Sequence, residues 1–600
     1  MTKSEAVDNV TLAVVKGALE QIADEMDAVT VRAAFSQVIS EQKDRASGLF
    51  HPVSGEVIAL GRETLAIFIT TMQFAVQSVM EEAGRRGGFR LGDIYLLNNP
   101  YLGGSHLPDM KLVMPIFEGN RPVVILAVCG HWNDIGGMAP GGFAPMATEV
   151  YQEGILVNPV PLYSAGVYQA DLMRLLLDNV RLAKERMGDL QALLSSLRVG
   201  ADRFESLAAR YGTATLSACF DELNTRSEQR MRSLIKTIPD GDYSFEDAVD
   251  NDGHSGTPLK ICCMLRIKGD SVTVDFTGSS PPTRGPLNIS SGTTIASVQI
   301  AFKHLFPDVE VNGGCFRPFD YVIPENTFLA ASRPVPTSGY PETAGRVYSV
   351  VSGALGKALP DRVPADWFGV AGVITAAGKR VGKGKDASDF ISFFVASGGY
   401  GGHPTEGDGL VNGSMPLGMS SYPSVESTEH RSSLRIETMA LREGSGGAGR
   451  FRGGCGTLYR YRMLGAETTI NVLGDRHDHV PFGVAGGKPA AGAEFSYLTR
   501  EGRQTLPFIT KGKFLALEGD VIEYQSPGGG GQGDPLEREA GLVLRDVQLG
   551  FIDVRAAGDD YGVVIRLSRD NTLRRATVDE AGTATRREEI RRGRDGQASA

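Results

Sequence analysis

The sequence predicts an α+β, multidomain protein with Gly-rich β sheets and a helical segment near residues 170–238. Three observations predict it. A chain of 600 residues exceeds what one hydrophobic core organises. Between Leu172 and Ile238 the apolar residues recur at helical spacing. Beyond Gly241 the pattern changes to alternation, and many of the chain's 75 glycines break it into short runs.

Taken in order, from about Val10 to Met26 the apolar residues Val10, Leu12, Val14, Val15, Ala18, Leu19, Ile22, Ala23 and Met26 follow helical spacing, and Leu65 to Arg86 reads as a second helix stopped by Gly87-Gly88. Asp93–Leu97, Leu112–Phe117 and Val123–Val128 are short apolar runs bounded by Gly, Asn or Pro, the signature of buried strands. Leu172 to Gly212 is one or two long helices, and Leu216 to Ile238 another, closed by Pro239-Asp240-Gly241. Ile261–Ile267 and Val272–Thr277 then alternate around Lys268-Gly269-Asp270 as a hairpin, and a helix near Arg346–Leu359 interrupts an otherwise β-rich remainder. The runs Gly398 to Gly402 and Gly528 to Gly531 are expected to be tight turns with positive φ. The expected units are an α/β unit over 1–165, a helical segment over 166–240, a β-rich unit over 241–576 and a flexible tail over 577–600, where apolar residues almost vanish.

Composition excludes several functions. A net charge of −10 argues against nucleic acid or an anionic membrane as partner. No apolar run reaches the roughly 20 residues of a spanning helix, and no signal-peptide stretch opens the chain. Six cysteines without CxxC spacing fit a reduced cytoplasm, so a cytoplasmic location is expected.

The chemistry concentrates in Ser105-His106-Leu107-Pro108-Asp109 and Cys129-Gly130-His131-Trp132-Asn133-Asp134, two of only nine histidines beside carboxylates at the ends of strand-like runs. Imidazole with carboxylate suits a divalent metal such as zinc or manganese. From spacing alone a second reading stands beside it, in which both histidines cap loops through hydrogen bonds. Glu149 and Glu153 follow the motif and are candidate acid/base residues, against the commoner reading of solvated carboxylates. His477-Asp478-His479 is read as structural pairing along a strand. Neither Ser445–Gly456 nor Gly372–Lys379 has the GxxxxGK[ST] spacing of a phosphate loop, so no nucleotide site is expected.

Asn99-Pro100-Tyr101-Leu102-Gly103-Gly104-Ser105-His106-Leu107-Pro108-Asp109 followed by His131-Trp132-Asn133-Asp134-Ile135-Gly136-Gly137 resembles the hydantoinase B/oxoprolinase family. Further matches run in order through Gln152-Glu153-Gly154, Val274–Ser280, Asn312–Pro318, Ser445–Gly454, Pro481-Phe482-Gly483 and Gly528–Pro535. Members are large subunits of ATP-dependent hydantoinases, lactamases and 5-oxoprolinases, and of acetone and acetophenone carboxylases. The resemblance implies a metal held by Asp44, His106, Asp109 and His131, zinc first and manganese second, with Asp134 orienting His131. It also implies a separate hydantoinase A-type ATPase subunit that binds ATP, with two copies of each subunit, and a small cyclic amide as substrate. The implied reaction is metal-dependent ring opening of a hydantoin, 5-oxoproline or lactam after phosphorylation by the partner. The alternatives are ketone carboxylation or a non-catalytic scaffold for the ATPase. Two departures lie near the motif: Asn99 stands where many members carry Asp, and Leu65–Met72 replaces a segment that commonly carries a His before its Met, with Ile67 and Phe68 predicting a more apolar pocket.

Overall fold

The computed structural model describes residues 7–381, 388–418, 421–567, 573 and 576–598, with side chains as far as 594. It is a mixed α/β, multidomain architecture with several sheets. The N-terminal sheet contains β1 (Arg45–Phe50), β2 (Val57–Leu60), β3 (Ile94–Leu97), β4 (Asp109–Glu118), β5 (Arg121–His131), β6 (Val160–Ser164) and β7 (Val167–Tyr168). Its order is β2-β1-β5-β4-β3-β6-β7, antiparallel throughout.

Antiparallel sheets commonly show one face to water, yet this one reads as continuous apolar runs because both faces are covered. Val124, Leu126 and Val128 pack with Leu12 and Leu19 of α1 (Asn9–Ala33) and Leu193 of the segment Ala183–Tyr211. Ile125, Ala127 and Cys129, pointing the other way, join Phe68 and Met72 of the helix Ala66–Arg85. Fully burying each of the larger aliphatics contributes ~1.5–3 kcal/mol. In chain order these helices are α1, α2 (Gln37–Ser40), α3 (Ala66–Arg85), α4 (Ala170–Leu177), α5 (Ala183–Tyr211) and α6 (Thr213–Ile235). The predicted helical segment is therefore present as α4 to α6, and it shares its core with the sheet it covers.

A second sheet, β11-β10-β9-β8, is built from β8 (Gly241–Val249), β9 (Leu259–Lys268), β10 (Ser271–Asp275) and β11 (Phe319–Val322). Lys268 pairs with Ser271, so the predicted hairpin turns on Gly269-Asp270. Between the two sheets lie α7 (Ser291–Leu305) and α8 (Tyr340–Ala358), whose buried residues join the same core as α3. Sequence reading had found α8 but not α7: SGTTIASVQIAFKHL is buried on nearly every side and shows no amphipathic period.

The C-terminal part pairs two further sheets. One, β13-β12-β16-β19, has β12 (Val373–Lys379), β13 (Asp389–Phe394), β16 (Glu467–Leu473) and β19 (Lys511–Leu517). The other runs β14-β15-β20-β17-β18, with β14 (Leu434–Leu441), β15 (Thr457–Met463), β17 (Glu494–Thr499), β18 (Gly502–Gln504) and β20 (Val521–Gln525). Ile374, Phe394, Tyr461, Ile470 and Ile522 form their common core.

One expectation needs correction. The glycine runs are not tight turns: neither Gly398–Gly402 nor Gly528–Gly531 contains a positive-φ glycine. They are extended segments that touch backbone to backbone, linked by bonds such as Gly399 N to Pro527 O and Gly454 N to Tyr400 O. A Cβ on Gly453 would fall 1.8 Å from Gly529 O, and one on Gly399 1.9 Å from Gly454 O. Glycine is needed there for close approach, not for conformation. Within the tail the described residues include a helix over Glu580–Ala598. Charged anchors hold it in place of an apolar face: Arg587 donates to the Tyr561 and Arg538 carbonyls at 3.0 and 2.6 Å, and Arg594 pairs with Asp534 at 3.0 Å. Among the described residues no helix is long and apolar enough to cross a membrane.

Candidate metal centre

Strand register builds the site. Asp109 opens β4 and pairs with His131, which closes β5. On the other side of β5, Arg45 pairs with Gly130, and the His131 N–H donates to the Asp44 carbonyl at 3.1 Å. Asp44, His131 and Asp109 thus form one row across three adjacent strands. They point to the same face as Ala46, Cys129 and Val113, towards α3 and α8. His106 reaches the row from the preceding loop, which folds back so that Asp109 N donates to His106 O and Trp132 N to Pro108 O. Asn98 fastens that loop through its amide, donating to Leu107 O at 2.8 Å and Ile155 O at 2.9 Å. Gly103, at φ 91°, lies against Phe74 where no Cβ fits.

His106 Nε2, His131 Nδ1 and Asp109 Oδ1 stand at the corners of a triangle with 3.2 Å edges. All three side chains are buried, and among the described residues they are the group whose atoms converge as metal donors. Protons do not satisfy this arrangement, since two imidazole N–H groups aimed at one oxygen would also face each other. One cation satisfies all three lone pairs. A tetrahedral ion at about 2.05 Å gives donor edges of about 3.3 Å, and an octahedral one at about 2.1 Å gives about 3.0 Å, so the triangle fits either. Asp44 Oδ2 lies 3.8 Å from His131 Nδ1, at the edge of this group, and its side chain is the most exposed of the four.

Burial would raise the Asp109 carboxyl, but His106, His131 and Lys111 bring it well below the ordinary carboxylate value; Ser105 Oγ donates to its other oxygen. Burial raises Asp44 to about 6 against the pull of His131, with Asp109 adding to the rise. The walls are aromatic. Phe143 and Tyr340 lie 5.1 and 4.8 Å from the His106 ring, and Phe393 stacks on His131 at 5.4 Å. Sequence reading missed these three because they come from separate segments without any local motif.

The other predicted residues lie elsewhere. Asp134 does not touch His131: it accepts from Gly136 N and Arg181 N and pairs with the Arg181 guanidinium at 3.1 Å, fixing the turn after β5. The remaining ring nitrogens, His106 Nδ1 and His131 Nε2, are buried without a hydrogen-bond partner in the protein. Glu149 is half-buried ahead of the short turn Val150–Gln152 and caps nothing. Glu153 is buried, its oxygens accepting from Thr337 N and Ser338 N at 2.7 to 2.9 Å, and burial lifts its carboxyl to about 7. Because those bonds anchor the loop after the Arg333-Pro334 pair, Glu153→Gln is expected to leave the turnover number within about threefold of wild type. Steady-state kinetics read this; a hundredfold fall would restore Glu153 to the acid/base role. His477-Asp478-His479 lies in a loop, not on a strand, where His479 Nδ1 meets Asp250 at 2.9 Å. Asn99 uses both ends of its amide, accepting from Tyr101 N and donating to Asn158, a donation Asp cannot make. Phe68 is buried beneath Lys111.

The family model for hydantoinase B/oxoprolinase matches residues 8–535. The chain belongs to this family. Within it, the chain is 31% identical over 569 residues to the caprolactamase subunit beta of Pseudomonas jessenii, covering 93% of this chain and 96% of that one. The crystal structure of the ATP-dependent caprolactamase from that organism superposes with a TM-score of 0.89 at 30% identity, over 97% of this chain and 100% of the other. 5-Oxoprolinase 1 of Arabidopsis thaliana is 25% identical over 88% of this chain, which spans only 42% of that longer protein. Acetone carboxylase, in its nucleotide-free structure, shares the fold with a TM-score of 0.90 at 19% identity, over 98% of this chain and 84% of that one.

Proposed function

We propose that this chain is the ring-opening subunit of an ATP-dependent cyclic-amide hydrolase, acting on a lactam, hydantoin or 5-oxoproline that a separate hydantoinase A-type ATPase subunit has phosphorylated. The observation that carries it is the buried His106–Asp109–His131 triangle in a chain so similar to a caprolactamase subunit. Asp44, His106, Asp109 and His131 would hold one divalent ion, zinc or manganese. Such an ion, when bound, supplies a water nucleophile at neutral pH by lowering its pKa from about 16 to near 7.

The protein's own part is positional. Phe143, Tyr340 and Phe393 wall the centre and limit bulk water, which protects an activated intermediate from stray hydrolysis. An amide carbonyl is a poor electrophile, so the γ-phosphoryl group of ATP goes to its oxygen and ADP leaves. Water then adds to the carbon, the ring nitrogen takes a proton, and the C–N bond breaks to leave an acyl phosphate. A second water releases inorganic phosphate and the carboxylate. The match to less than half of a longer 5-oxoprolinase supports a division in which the ATP step belongs to a different unit. We place the complex in the cytoplasm, with two copies of each subunit; all six cysteines are unpaired.

A carboxylase reading is favoured only by the shared fold with acetone carboxylase. The test is to purify the chain with its ATPase partner, measure metal content, and follow cyclic-amide loss and ADP release with and without bicarbonate. The expected result is ring-opened acid and ADP in equal amounts without bicarbonate. Ketone loss that requires bicarbonate, with no amide turned over, would establish the carboxylase instead.

A further inference from the structure

Lys111 is a buried lysine that forms no direct ion pair among the described residues, although its charge acts through space on Asp109 and Asp44. It lies on β4, two residues from Asp109 on the same sheet face, opposite Cys129, and is 1% exposed. Among the described residues its one hydrogen-bond acceptor is the Asp109 carbonyl, at 3.1 Å, and the Phe68 ring lies 5.9 Å away. An ammonium carries three N–H groups, so two find no acceptor among the described residues. One carbonyl and one ring face at that distance do not offset the desolvation of a charge. Asp109 and Asp44 compensate part of the charge through space, and the ammonium keeps N–H groups beside the donor triangle for a bound group to use.

Charge bookkeeping indicates which group. Two histidines, two aspartates and a divalent ion sum to zero, and Lys111 leaves the centre with one positive charge in excess. Aromatic walls keep that field poorly screened. A neutral cyclic amide gains little from it, whereas a phosphorylated amide carries the anionic oxygens it attracts. We propose that Lys111 is a positioning residue whose charge makes this centre select an anionic, O-phosphorylated amide over the neutral ring and retain it until the ring opens. The inference rests on the ring-opening reading given above.

Two substitutions separate charge from scaffold. Lys111→Gln keeps a donor for the Asp109 carbonyl without the charge, and Lys111→Arg keeps the charge; each is made in the complex with the ATPase, with metal content and assembly measured first. Inorganic phosphate titrated calorimetrically into the metal-loaded complex is expected to bind at least tenfold more weakly to Lys111→Gln, and within threefold of wild type to Lys111→Arg. The ratio of ring-opened acid to ADP is expected to fall at least tenfold in Lys111→Gln, as intermediate escapes and hydrolyses back to the amide and phosphate. Unchanged phosphate affinity and coupling in Lys111→Gln overturn the proposal. Metal lost from Lys111→Gln but kept by Lys111→Arg overturns it too, since the charge would then serve the metal site. Should Lys111→Gln not accumulate, Lys111→Met is read in the same way. If the wild-type complex opens no cyclic amide, the functional reading fails, and the phosphate titration still decides the role of Lys111.

Discussion

Replacing His106 with alanine is expected to empty the metal centre and lower ring opening by roughly a thousandfold or more, while assembly with the ATPase persists. The reason lies in the triangle. His106 Nε2 is 3.2 Å from both His131 Nδ1 and Asp109 Oδ1, so its loss removes one of three converging donors and leaves an ion with His131, Asp109 and the more distant Asp44. His106 sits in a loop, not within a strand, so the sheet register that places the other donors does not depend on it. The hole left beside Phe143 and Tyr340 costs about 2–3 kcal/mol, which a large domain tolerates. Elemental analysis of the purified complex, ring-opened product per ADP, and size-exclusion chromatography read the three consequences separately. A metal-free variant that still turned over at the wild-type rate would remove the centre from the reaction and leave this chain as a scaffold.

His106, Asp109 and His131 were legible in the sequence because rare histidines beside a carboxylate fell at the ends of apolar strands. Spacing alone does not give their convergence, which only the family resemblance implied, because it depends on β1, β5 and β4 being neighbours, and pairing order leaves no local pattern. Asp134 shows the limit: three residues past the end of β5 the period-2 alternation no longer applies, and its carboxylate turns to Arg181. Lys111 passed unnoticed inside an apolar run for the same reason that makes it informative, since one charge among strand residues has no motif. The glycine runs read as tight turns with positive φ, and that reading fails because what excludes a side chain there is the backbone of segments far away in the chain. In the tail, composition reports a missing apolar face and says nothing of the Tyr561 and Arg538 carbonyls to which Arg587 donates.

The largest stability effect is expected at Arg346. It is fully buried on α8, bonded to Asp475 at 2.5 Å and Asp247 at 3.1 Å. Arg476 carries the network on to Asp247 and Asp366, and Lys511 reaches Asp475 at 2.9 Å. These side chains come from β8, α8, the segment between α8 and β12, the loop after β16, and β19, so one buried network ties the second sheet to the sheet that contains β16 and β19. Arg346→Met keeps the volume and removes the charge, leaving Asp247 and Asp475 in low dielectric with one cation fewer; about 3–5 kcal/mol of unfolding free energy should be lost. The pH dependence follows with a definite sign. Burial raises the Asp247 and Asp250 carboxyls, but Arg346 for the first, and His479 with Arg346 for the second, bring both below the ordinary value of 3.8. Depressed carboxylates contribute stability above their unfolded value and lose it as the pH falls through the folded one, so the wild type should resist acid to well below pH 4. In Arg346→Met that depression shrinks and the acid-unfolding midpoint should move up, alongside the fall in denaturant midpoint at neutral pH. Adding Asp475→Asn should recover part of the loss, because it removes one of the two charges left unpaired. A denaturant midpoint shifted by less than the equivalent of about 1 kcal/mol would mean that the network behaves like surface ion pairs, and that the apolar cores alone hold the sheets together.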